Sequence, residues 1–146
     1  MTDEKPQRWS AVTDRVLRRA GWSPGRSVPT AQWESVLLEV GDFEIHEAAR
    51  RFLAEFGGLE VVREPDHEKG WRQFQLDPLL AESDSEIFEE LSEEAGADLF
   101  PLGMADHRNF YLGMAPSGAV YVGMDYLSLL ADSPDAALEK LIRGAA

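Results

Sequence analysis

Residues 110–125 read Phe110-Tyr111-Leu112-Gly113-Met114-Ala115-Pro116-Ser117-Gly118-Ala119-Val120-Tyr121-Val122-Gly123-Met124-Asp125. The apolar positions on either side of Pro116-Ser117-Gly118 alternate with a period of two, and the three residues between are turn formers. That pattern is a β-hairpin signal and calls for antiparallel pairing. Working back, Leu59–Arg63 and Trp71–Leu76 also alternate, separated by a polar loop with Pro65 and Gly70. Leu99–Leu102 reads as a further strand, which Pro101 demotes to an edge.

Helical spacing governs the rest. Trp9, Val12, Val16, Leu17 and Ala20 recur at helical intervals before Gly21, and Trp22-Ser23-Pro24-Gly25-Arg26 is turn chemistry. Thr30 is placed to cap a second helix carrying Trp33, Val36, Leu37 and Val40, ended by Gly41. A third runs from Glu44 to Phe56, with Glu47–Arg51 and Arg51–Glu55 as opposite-charge i,i+4 pairs. Gly57 and Gly58 stop it, since glycine tolerates positive φ. Ser85 is read as the cap of an acidic helix to Ala95 that Gly96 ends. Ser133-Pro134-Asp135 opens a last helix to Arg143, closed by Gly144. Segregated helices with hairpin-linked strands predict an α+β fold, a mainly antiparallel sheet of about five strands flanked by helices. The boundaries are an N-terminal tail, residues 1–8, and a single domain, residues 9–146.

The chain has 146 residues, 44% of them hydrophobic and 10% aromatic, enough for one core despite a net charge of −13. There is no cysteine, hence no disulfide and no thiolate chemistry, as suits a reducing compartment. The N-terminus lacks a basic region followed by an apolar stretch, and no apolar run spans a bilayer, so a cytoplasmic protein is expected. Eleven Arg against three Lys is a composition common in bacterial genomes rich in G and C. The charge disfavours direct contact with nucleic acid or anionic membranes, both of which are bound through Lys and Arg.

That charge is uneven. Residues 1–72 hold 11 bases and 13 acids; residues 73–146 hold 3 bases and 14 acids. Asp77 to Asp98 alone contains nine acids and no base. At about 100° per residue, Glu86, Glu89, Glu90, Glu93 and Glu94 share one arc of the acidic helix, opposite Ile87, Phe88, Leu91 and Ala95. Glu86–Glu90, Glu89–Glu93 and Glu90–Glu94 are like-charge i,i+4 pairs, each costing roughly 0.2–0.5 kcal/mol. The face is either solvated surface or a docking site for a basic partner, whose approach it would accelerate. Asp106 and Asp125, on loops or strand ends, are further candidates for the same contact.

Catalytic and metal motifs are lacking. His46-Glu47 begins like the HExxH zinc motif, but position 50 is Arg. Asp66-His67 and Asp106-His107 are Asp-His pairs in loops without ligand spacing. No nucleophile elbow, phosphate loop or dinucleotide fingerprint occurs. The reading calls for no catalytic residue, no metal and no cofactor.

The series Gly21-Trp22-Ser23-Pro24-Gly25-Arg26, then Phe52-Leu53-Ala54-Glu55-Phe56-Gly57-Gly58-Leu59, has fixed successors. They are Leu76-Asp77-Pro78-Leu79-Leu80, Leu99-Phe100-Pro101-Leu102-Gly103, Phe110-Tyr111-Leu112-Gly113-Met114 and Gly118-Ala119-Val120-Tyr121. Their order and spacing resemble the third subfamily of the SUKH superfamily, the Smi1/Knr-like immunity proteins, from about Trp9 to Gly144. The resemblance implies a non-enzymatic antitoxin of a polymorphic toxin system, binding a toxin domain that is often a nuclease or deaminase, and an α+β fold. A regulatory protein-interaction scaffold of the same fold is the alternative. Gly21, Trp22, Arg26, Phe56, Gly57 and Gly58 are then structural motif residues. Trp22 and Phe56 are expected as core anchors, and Glu55 and Arg26 as candidates for an internal ion pair.

Overall fold

The computed structural model describes residues 8–62 and 73–144. Residues 1–7 of the expected tail, the 63–72 segment with Pro65, Gly70, Asp66-His67 and two expected strand ends, and the final two alanines lie outside the described residues.

Helices α1 (Ala11–Arg19), α2 (Ala31–Gly41) and α3 (Glu47–Phe56) come first, followed by strands β1 (Glu60–Val62) and β2 (Gln73–Gln75). A short 3-10 turn, Pro78–Ala81, leads to α4 (Ser85–Ala95). Then come β3 (Phe100–Ala105), β4 (Phe110–Met114), β5 (Val120–Gly123), β6 (Leu127–Ala131) and α5 (Pro134–Arg143). The six strands form one antiparallel meander in chain order, β1 through β6. The fold is thus α+β with a sixth strand beyond the five expected. β6 escapes a period-two reading because a register shift between Val120 and Tyr121 breaks its pairing, leaving Ser128 and Leu129 exposed in succession.

Three of the five described α-helices start at a side-chain acceptor, not always the one the sequence suggests. Ser10 caps α1 by accepting from the Thr13 N–H, and Ser133 caps α5 through the Ala136 N–H, both at 3.3 Å. Thr30 does not cap α2: its hydroxyl turns instead to the Glu34 carboxylate, 2.6 Å away. α3 begins at Glu47 rather than Glu44, because His46 is its cap. Nδ1 of His46 accepts from the Ala49 N–H at 3.2 Å. Nε2 must then carry the proton, and it donates to the Met114 carbonyl at 2.8 Å. The histidine that began a zinc-like motif thus ties α3 to the sheet. α4 is preceded by Asp84, not capped by Ser85; the Asp84 carboxylate is taken by the Tyr111 hydroxyl instead. Burial, then the facing Asp84 carboxylate, raises the Tyr111 pKa.

Pro101 sits in an internal strand, not an edge. It opposes Gly113 of β4, while β2 reaches β3 only at Met104 and Ala105, so no β2 carbonyl waits for the missing Pro101 N–H. At Gly103 the sheet closes so tightly that a Cβ would lie 1.8 Å from the Gln75 carbonyl oxygen. Gly57 also departs from expectation: its φ is −58°, and glycine is required there by crowding. A Cβ would stand 2.5 Å from the Leu53 carbonyl and 2.6 Å from the Trp33 ring. Gly58, at φ +87°, does use glycine's freedom.

The motif residues build a clamp at the C-terminus of α3. Trp9, Trp22 and Phe56 form a buried ring cluster with centroids 5.2–6.2 Å apart. The Trp22 indole donates to Glu55 at 3.0 Å, and Arg8 pairs with both Glu55 (2.7 Å) and Asp135 (2.8 Å). Arg51 pairs with Glu47, so the Arg51–Glu55 pair gives way to Arg8. Arg26 forms no ion pair with Glu55. It donates to the carbonyls of Glu55 (2.7 Å) and Gly57 (2.9 Å), satisfying acceptors a helix end leaves open.

Candidate functional site

α4 lies across β4 and β5 on one pleat face. Phe88 approaches Gly113, where a Cβ would be 3.2 Å from its ring, and Leu91 approaches Gly123 in the same way. Both side chains are buried. Glycines on the strands therefore let the helix lie close, and its opposite face is left to solvent. Glu86, Glu89, Glu90, Glu93 and Glu94 are all exposed, and no cation among the described residues pairs with them.

Beside α4 lies a cleft of about 630 Å³, lined by Gly41, Asp42, Phe43, Glu44, Ser85, Phe88, Glu89, Ser92, Glu93 and the Gly96–Phe100 segment. Beneath it lie three buried core rings, Phe43 standing edge-on to Phe88 (5.6 Å) and Phe100 (6.3 Å). Gly41 draws the end of α2 against α4, since a Cβ would meet the Phe43 ring at 2.8 Å and the Ser85 Cβ at 3.0 Å. Asp42 follows in the left-handed region at φ +55°. Of the five α4 glutamates, only Glu89 and Glu93 line the cleft. Glu86, Glu90 and Glu94 are centred about 80° further round the helix.

The two loop acids are not brought together with this cleft. Phe100 opens β3 at the cleft, and Asp106 follows its far end, about 20 Å away at strand rise. Asp106 accepts from the Asn109 amide there, in a turn where Asp106, His107 and Arg108 all have positive φ. Asp125 lies on the β5–β6 turn, two residues beyond the Gly123 that Leu91 touches, so it borders α4 rather than the cleft. The cleft acids that sequence reasoning missed are Asp42, Glu44 and Asp98. They come from two further segments, and only the approach of α2 to α4 sets them beside Glu89 and Glu93.

Among the described residues no three His, Asp or Glu side chains gather to hold a metal ion. No described helix is long and apolar enough to cross a membrane.

The described residues thus form an α+β domain, an antiparallel meander with an exposed acidic helix face. The chain matches the family model described as SUKH-3 immunity protein over residues 9–144, and it belongs to that family. No curated protein and no solved structure matches it. Membership gives the chain an immunity role, that of a generally non-enzymatic protein binding a cognate toxin protein.

Proposed function

We propose that this protein neutralises a basic, nucleic-acid-directed toxin domain, a nuclease or deaminase, in the bacterial cytoplasm. It does so by occluding the toxin's substrate groove with the acidic face of α4. The observation that carries this reading is the row Glu86, Glu89, Glu90, Glu93 and Glu94, exposed and without a cationic partner among the described residues. A groove that binds phosphates must be basic, so an acidic helix complements it and competes with nucleic acid there. Asp106 and Asp125, on turns of the sheet, are weaker candidates for the same contact. The mechanism is steric and electrostatic, with no bond made or broken and no cofactor.

Co-expression with the C-terminal domain encoded by the adjacent gene tests the role: growth is restored by the wild-type chain. Charge reversal at Glu89, Glu90 and Glu93 lowers the association rate and flattens its salt dependence. Unchanged affinity with unchanged salt dependence rejects this face as the contact.

A further inference from the structure

The five α-helices among the described residues treat their C-terminal ends differently. Each such end carries roughly half a negative charge from its open carbonyls. α1 ends with Arg18 and Arg19, and α5 with Lys140 and Arg143. α3 has no base in its last turn, but Arg26 reaches its final carbonyls. α2 and α4 have no base in the last turn, and both of their C-terminal ends, Gly41-Asp42 and Gly96-Ala97, line the same cleft. Five carboxylates surround them: Asp42, Glu44, Glu89, Glu93 and Asp98. No Lys, Arg or His lines the cleft, and all five acids are exposed without a cationic partner among the described residues.

We infer that this cleft seats an arginine-bearing segment of the partner protein. The inference rests on the proposed immunity reading and narrows it to a place and a chemistry. A cation entering here lies in the combined field of two helix C-termini and of the carboxylates spread along the cleft. A guanidinium suits the site better than an ammonium, because its planar fork pairs carboxylates bidentately. A volume of about 630 Å³ accommodates a few extended side chains, not a folded element. A second copy of this chain is a poor occupant, since each copy carries a net charge of −13.

Two triple variants of equal charge change test the inference, with folding of each checked by thermal melting. One is Asp42→Asn, Glu44→Gln and Asp98→Asn in the cleft, where Asn at 42 retains tolerance of the left-handed backbone. The other is Glu39→Gln, Glu60→Gln and Asp132→Asn, exposed acids outside both the cleft and the α4 row. Affinity is measured against a catalytically dead form of the adjacent gene's toxin domain. The cleft triple loses at least tenfold and the distant triple less than threefold. Equal losses, or none in the cleft triple, overturn the inference. If the wild-type chain does not bind that domain, the immunity reading of the pair fails, and a second measurement still decides the cleft. Backbone amide shifts of the full chain are followed with a Gly-Arg-Gly-Arg-Gly peptide, its lysine counterpart and spermine. Shifts confined to 41–44 and 96–100, larger for the arginine peptide than for the other two, support the cleft. Equal responses to all three, or shifts elsewhere, overturn it.

Discussion

The acidic face of α4 makes a quantitative prediction about stability. Glu90 stands at the centre of the like-charge row, four residues from both Glu86 and Glu94, and all three are exposed. Each repulsive i,i+4 pair costs about 0.2–0.5 kcal/mol, and an attractive pair returns a similar amount. Glu90→Lys converts two repulsive pairs into two attractive ones, so the expected gain is about 0.8–2 kcal/mol. Unfolding entropy near 2.1 cal/mol/K per residue gives this chain about 0.3 kcal/mol/K, so Tm rises by about 3–6 °C. The measurement is calorimetry in low salt and again at about 0.5 M NaCl, where screening cuts exposed charge interactions to a few ångströms. The gain shrinks in salt. A Tm that does not rise, or a gain indifferent to salt, refutes the claim that this row is held against its own repulsion. Association with the toxin domain separates docking from mere solvation. A stabilised variant that associates more slowly marks a surface kept for recognition; one that associates at the wild-type rate marks a solvated face.

Arg26→Ala strips the carbonyls of Glu55 and Gly57 of their donor and lowers stability by about 2–3 kcal/mol in urea, with Arg26→Lys restoring only part because one ammonium replaces a two-pronged contact. His46→Asn retains a cap on α3 but loses the bond to Met114, so it costs about 1–2 kcal/mol, less than His46→Ala, which loses both. Gly103→Ala drives a methyl into the Gln75 carbonyl and destabilises by more than about 3 kcal/mol, read as a collapse of the urea midpoint. Burial works to raise the pKa of Glu139, but bonds from the Ser10 N–H, the Thr13 and Ser10 hydroxyls and Arg143 hold it below its ordinary 4.5. A depressed carboxylate contributes stability above its ordinary pKa and loses it as pH falls through the folded value. The stability advantage of wild type over Glu139→Gln is therefore full at pH 7 and shrinks as the pH drops below about 4.5.

Where a signal was local, the sequence was readable. The Pro116-Ser117-Gly118 turn, the Ser133-Pro134-Asp135 opening and the Gly96 stop each specify their own geometry, and the structure places all three as expected. The errors arose where a side chain had two possible partners. Thr30 chose Glu34 over its helix, Asp84 chose Tyr111, and His46 served both a helix and a strand. Pro101 misled because the rule about edges applies per residue, not per strand: β3 is internal only where β2 reaches it. Of the candidate site, the glutamate row was visible because it lies on one helix. The cleft was not, since Asp42 and Asp98 are 56 positions apart and meet only through tertiary packing.

The meander has a kinetic consequence. Every strand pairs with its neighbour in the chain, and the largest insertion between paired strands is the 3-10 turn and α4, between β2 and β3. Among the described residues no strand waits for a distant partner and no crossover must be threaded. Loop-closure cost is therefore small at each step, and such chains fold quickly for a β-containing topology. Pairing can proceed in the order of synthesis, with only β6 and α5 left to add at the end. A guardian that must be competent before its adversary is folded gains from an architecture assembled in the order it is made.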